Sequence, residues 1–121
     1  NPPGHPGGIF AFIYVDLFKS SIMETTTVVF QDDHIHGEVQ LFSNEQKAGM
    51  MEISAEDGKL TVYHTEVNPE HEGKGFGKLL LDQLVRYARE NNLKIVPLCP
   101  YVSAQFKRHP ETFADVRFKP L

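Results

Sequence analysis

His64-Thr65-Glu66-Val67-Asn68-Pro69-Glu70-His71-Glu72-Gly73-Lys74-Gly75-Phe76-Gly77-Lys78-Leu79-Leu80-Leu81 is the stretch that decides how this chain folds. The residues leading into it, Leu60-Thr61-Val62-Tyr63-His64-Thr65, are rich in β-branched and aromatic side chains with Leu60 and Val62 alternating, the pattern of a strand. Pro69 ends that strand because it has no N–H to give to a ladder. Three glycines at alternate positions follow, and then an amphipathic run from Lys78 to Glu90. Glycines let backbone N–H groups turn toward one point and let a ligand come close. The start of a helix adds unpaired N–H groups and a partial positive charge. With Lys74 and Lys78 beside them, these features predict a phosphate cradle at a strand-to-helix junction.

Spacing separates the known kinds of cradle. A Walker A loop ending in Gly77-Lys78 needs glycine where Glu72 stands and a hydroxyl where Leu79 stands, so it fails twice. A dinucleotide fingerprint counted from Gly73 needs glycine at Lys78, and counted from Gly75 it needs glycine at Leu80. What remains is Gly-x-Gly-x-Gly, whose plain alternative is a glycine-rich turn that holds nothing.

The whole chain has 121 residues, 40% of them hydrophobic and 23% charged, which suits one globular domain. Its net charge of −4 disfavours a general nucleic-acid or membrane-surface binder, whose footprint would be basic. One cysteine forms no intrachain disulfide, so a reducing cytoplasm is the expected compartment. His34 and His36 form a lone His-x-His without a second cluster, and no metal is expected. Residues 1–24 open with prolines and glycines and read as a leader or cloning remnant, or as an extra strand around the apolar run 9–18. That run is too short for a membrane helix and has no basic residue ahead of it.

From residue 25 the pattern is regular, and residues 25–121 are expected to form the domain. Strands are expected at 25–31, 37–43, 48–54 and 60–67, with Asp57-Gly58 supplying the positive φ angles of a tight hairpin turn. A helix over 77–91 places Leu80, Leu81, Leu84, Val85 and Ala88 on one face. Residues 94–98 then form a short buried strand, parallel to 60–67 because a helical crossover joins them. A short helix over 102–108 follows, and 112–121 is either a last strand or a loose tail. The expected class is therefore α+β, a mixed and mostly antiparallel sheet with one main helix after the glycine loop and a short helix near the C-terminus.

His64-Thr65-Glu66-Val67, Glu72-Gly73-x-Gly75-x-Gly77, Val96-Pro97-Leu98-Cys99-Pro100-Tyr101-Val102 and Arg108-His109-Pro110 together resemble the short YjdJ-type group of the GNAT superfamily of N-acetyltransferases. The resemblance covers residues 25–115. It implies a compact fold with two splayed parallel strands, acetyl-CoA as cosubstrate, and an amine acceptor, either a small molecule or a protein lysine. It also implies that the pantetheine arm meets the backbone near Thr65 and Val67, and that the pyrophosphate rests on the N–H groups of Gly73, Lys74, Gly75, Phe76, Gly77 and Lys78. Pro100, Phe106 and His109 are further candidates for holding the cofactor. Larger relatives carry two helices after the first strand that build the acceptor pocket. Residues 32–37 are too short for them, so the acceptor side should be open. The tyrosine that many relatives use toward the leaving thiolate falls near Arg108, with Tyr101 displaced from that position.

Acetyl transfer to an amine needs a neutral nucleophile, donors for the oxyanion and a proton for the thiolate. Direct attack would use His64, Glu66 or His109 as base. A covalent route would pass through Cys99, which stands at the end of one splayed strand and ahead of a helix, where thiolates are stabilised. The resemblance implies a role for this cysteine, against the alternative of an inert buried thiol. His64 shares the side of Leu60 and Val62 and is expected as a core histidine. Phe106 packs either on adenine or in the core, and His109 with Lys107 and Arg108 meets either a phosphate or only solvent. A noncatalytic acyl-CoA-binding module is the competing function.

Overall fold

The structure is a computed structural model that describes residues 12–15 and 24–120. Its six strands run in sheet order as they do in sequence: β1 (Phe12–Val15), β2 (Glu24–Phe30), β3 (His36–Ser43), β4 (Gln46–Glu56), β5 (Lys59–Val67) and β6 (Lys94–Pro97). The first five are antiparallel neighbours, and β6 lies parallel to β5. Among the described residues there are two α-helices, α1 (Phe76–Glu90) between β5 and β6 and α2 (Pro100–Arg108) after β6. This is the α+β arrangement expected from the sequence. The expected apolar run 9–18 falls partly outside the described residues; its residues 12–15 are β1, paired with 25–28.

Among the described residues, helices cover one face of the sheet only. In β2 and β3 burial alternates residue by residue, which puts Val28, Phe30, Val39 and Leu41 inside and their neighbours at partial exposure. Met51, Ile53, Leu60, Val62 and Ile95 continue the buried face, and α1 covers it with Leu80, Leu84 and Ala88, all without exposed surface. Each of those leucines contributes about 2 kcal/mol by leaving water. A polar tie lies beside them: the Thr26 hydroxyl donates to buried Gln83 Oε1 at 3.1 Å. Among the described residues no helix lies over the opposite face.

Turn chemistry matches the sequence where it matters. Asp57 and Gly58 both adopt positive φ, at 56° and 75°, and make the two-residue β4–β5 turn. The second helix begins earlier than expected, at Pro100, whose fixed φ and missing N–H suit a first helical position. Of the tail, Arg117 forms a single parallel bridge with Ile95, so the expected last strand is reduced to one rung. Arg89 fastens that tail through Asp115 at 2.9 Å and the Thr112 carbonyl at 3.1 Å.

Candidate functional site

The site grows out of a defect in β5. Ile53 faces Val62, yet the preceding residue of β4, Glu52, faces His64, so Tyr63 is an extra residue in the ladder. Such a bulge bends its strand and places two successive side chains on one face. On the other edge, β6 follows β5 only from Lys59↔Lys94 to Val62↔Pro97. Leu98 and Cys99 then both donate N–H to the Val62 carbonyl at 3.0 Å, and the chain turns away into α2. Beyond Val62 the two parallel strands part.

Alternation assigns what β5 shows to the gap. The Asn68 N–H donates to the Ala48 carbonyl, so in antiparallel order Glu66 and His64 turn their main-chain groups toward β4. Thr65 and Val67, lying between them, turn theirs away from β4 and into the gap. At that end of the sheet a cleft of about 640 Å³ is lined by Gly49, Met50, Thr65, Glu66, Val67 and Asn68, among others.

After the short 3-10 turn Pro69–His71 comes the glycine loop. Gly73 and Gly75 have φ of 84° and 76°, a region that glycine enters without strain. Gly77 is favoured for another reason: a Cβ there would sit 3.2 Å from the Tyr101 ring and hydroxyl, closer than an ordinary contact, so the tyrosine would have to shift. The Glu72 and Lys74 N–H groups are held by Pro69 and His71 carbonyls, both at 3.3 Å. Those of Gly73, Gly75, Phe76, Gly77 and Lys78 meet no acceptor among the described residues, the last three because they open α1. His71 and Phe76 bracket the loop, their ring centroids 5.2 Å apart. His71 Nδ1 is buried without a partner, so stacking rather than a hydrogen bond at that nitrogen holds the ring. The sequence offered no signal for this contact beyond two rings five positions apart.

The candidate residues divide between the two faces of β5. Thr65 points to the helix face, where its hydroxyl is 3.0 Å from Cys99 Sγ. Cys99 is the N-cap of α2 and only 2% exposed. His64 and Glu66 project from the helix-free face and pair with each other, Nε2 to Oε2, at 3.0 Å. His64 is thus exposed and not the core histidine expected, because the bulge at Tyr63 turned it away from Leu60 and Val62.

Other candidates resolve differently. Phe106 has no exposed surface and stacks on Phe113 at 4.8 Å, so of its two expected roles it has the core one. Lys78 is exposed and paired with Asp82 at 3.2 Å, a helix-surface pair of about 0.3–0.5 kcal/mol that a phosphate can displace. Lys74 meets no carboxylate among the described residues. Lys74, Gly75 and Lys78 line one end of a larger groove of about 870 Å³ that runs along α1. Pro100 stands at the first turn of α2. His109 is exposed at the other end of that helix, about 13 Å along its axis. Tyr101 lies between Cys99 and the glycine loop, and burial raises its phenol above the usual range. Among the described residues no three His, Cys, Asp or Glu side chains gather as metal ligands; His36 is taken up by Asp33 at 2.6 Å.

Comparison with known proteins agrees with this layout. Residues 38–116 match the family model described as GCN5-related N-acetyl-transferase. Two solved structures share the fold. A ribosomal-protein-alanine N-acetyltransferase from Brucella melitensis biovar Abortus 2308 is 22% identical, with a TM-score of 0.52 over 74% of this chain and 66% of that one, a little under two thirds of its length. The ribosomal-protein-S18-alanine N-acetyltransferase from Escherichia coli is 11% identical, with a TM-score of 0.54 over 84% of this chain and 77% of that one. At these identities the likeness is one of fold. No curated protein sequence matches the chain.

Proposed function

The chain belongs to the GCN5-related N-acetyltransferase family, and we propose that it moves an acetyl group from acetyl-CoA to an amine by direct attack. The observation that carries this reading is the parting of β5 and β6 after Val62, which leaves the backbone of Thr65 and Val67 unpaired on the edge that leads to the glycine loop. The pantetheine arm fits that edge as an added strand would, by main-chain hydrogen bonds. Its pyrophosphate fits the free N–H groups between Gly73 and Lys78, with Lys74 adding full charge.

In the transfer, the amine nitrogen bonds to the thioester carbonyl carbon. The negative charge that develops on the carbonyl oxygen is met by the Val67 N–H, fixed in place before reaction. The His64–Glu66 pair on the helix-free face receives the amine proton and passes it to solvent, the C–S bond breaks, and CoA leaves as a thiolate that takes a proton from water. Cys99 lies on the other face, nearly without exposure and hydrogen-bonded to Thr65, so its role here is to hold Thr65 and not to carry acetyl. Cytoplasmic location fits the single reduced thiol.

Release of CoA thiol from acetyl-CoA with a panel of amines tests the reading. Glu66→Gln is expected to lower kcat about a hundredfold, the low end of general-base contributions, while Cys99→Ala keeps turnover within the same order of magnitude. Loss of all turnover in Cys99→Ala with CoA binding intact would establish the covalent route instead. Tight CoA binding by the wild type without turnover on any amine would make the protein a binding module.

A further inference from the structure

Two large apolar side chains stand out in water among the described residues, Tyr63 at 42% exposure and Leu98 at 59%. They are the first residues beyond the last paired rung of the two parallel strands, Val62↔Pro97, one on each side of the gap. They share a face. Val62 is fully buried on the helix face, so Tyr63 turns to the opposite one; Leu98, exposed between the end of β6 and Cys99, which is buried against Thr65 on the helix face, is assigned to the same side as Tyr63. Tyr63 is fixed there by its hydroxyl, 2.7 Å from Ser54 Oγ, which satisfies its polar tip and leaves the ring as apolar surface. The bulge then places His64 on the same face, and Glu66 follows two residues later, bonded to it. The mouth of the gap therefore offers an apolar pair next to an imidazole–carboxylate pair.

Among the described residues, no packing contact accounts for leaving that leucine and that ring in solvent. Resting on the transfer reading above, we propose that the acceptor is a small primary amine on an apolar alkyl or arylalkyl stem. It enters from the helix-free face with its stem between Tyr63 and Leu98 and its nitrogen at His64 and Glu66. The stem would cover the exposed leucine and tyrosine, and the nitrogen would meet groups that attract a cation and accept a proton. A diamine such as putrescine fits worse, because its second ammonium would have to lie against Leu98 without a partner. A peptide lysine fits worse for a related reason, since its flanking amides would press on the same apolar flanks. Tyr63 and Leu98 are thus the residues that set acceptor specificity.

The test compares kcat/KM for n-hexylamine, phenethylamine, ethanolamine, putrescine and a lysine-containing peptide, with CoA binding measured by calorimetry for every variant. The wild type should favour n-hexylamine over ethanolamine by about tenfold or more, the discrimination a few apolar contacts confer. That ratio should collapse toward one in Tyr63→Ser and Leu98→Ser and survive in Tyr63→Phe. Equal use of hexylamine and ethanolamine by the wild type, an unchanged ratio in both serine variants, or a preference for putrescine or the peptide would overturn the assignment while leaving acetyl transfer standing. A wild-type chain that binds no CoA would remove both.

Discussion

The two halves of β5 have the same neighbour on one side and opposite fates on the other. Residues 59–62 are paired with β4 and β6 at once, and Leu60 and Val62 lie wholly inside the core. Residues 64–67 are paired with β4 alone, Tyr63 is the unpaired bulge residue before them, and Tyr63, His64 and Glu66 stand in solvent. One added residue, Tyr63, separates a half that does the work of a core strand from a half whose free main-chain groups are available to a ligand. The contrast predicts that the N–H groups of Thr65 and Val67, which face the gap, matter less to the fold than the main-chain groups of Leu60 and Val62, which are paired on both sides.

That contrast can be broken at either end. The largest effect is expected from Val67→Pro, which deletes an N–H that makes no ladder bond: kcat should fall about a hundredfold to a thousandfold, as when an oxyanion donor is removed, with the urea midpoint almost unmoved. A loss of folding instead would mean that the second half is as structural as the first. Gly75→Asp comes next. It forces a side chain into a positive-φ position and puts a carboxylate among the free N–H groups. CoA affinity measured by calorimetry should drop about a hundredfold, and unchanged affinity would move the pyrophosphate elsewhere. In the zipped half, Val62→Ala should cost about 2 kcal/mol of stability by urea denaturation, with CoA affinity preserved.

The smallest effect lies far from both halves, in the β2–β3 turn. The His36 ring and the Ile35 and His36 N–H groups hold the Asp33 carboxyl down at about 2, from an ordinary 3.8, and Asp33 in turn raises the His36 imidazole above its usual 6.5. The depressed carboxyl stabilises the fold above pH 3.8 and loses that contribution as pH falls toward 2. The raised imidazole stabilises it below 6.5 and loses that contribution as pH climbs through the folded value. The pair is at full strength between the two, so Asp33→Asn should slightly flatten the stability profile in that window. CoA binding should not notice.

Most of the element order was legible because it depends on local chemistry. Asp57-Gly58 specified its turn, the apolar spacing at Leu80, Leu84 and Ala88 specified α1, and a helix between two strands specified that they run parallel. The glycine loop was legible for the same reason, but the division of labour within it, Gly73 and Gly75 turning the chain and Gly77 making room for Tyr101, was not. The position of His64 was not. Alternation from Leu60 and Val62 puts it in the core, and only pairing with β4, where Glu52 meets His64 after Ile53 meets Val62, inserts the extra residue that turns it out. Phe106 was open between two roles until Phe113, seven positions on, came to lie against it.

The amino-acid sequence by itself determined that this chain has a strand, a glycine-rich turn and an amphipathic helix in succession, since propensity, φ preference and periodicity act over a few residues. Tertiary structure alone decided that β6 would leave β5 after four rungs, that Cys99 and the His64–Glu66 pair would sit on opposite faces, and that Tyr63 and Leu98 would flank the opening between them. Register between strands distant in sequence is set by how their side chains fill a shared core, and no single strand carries that information.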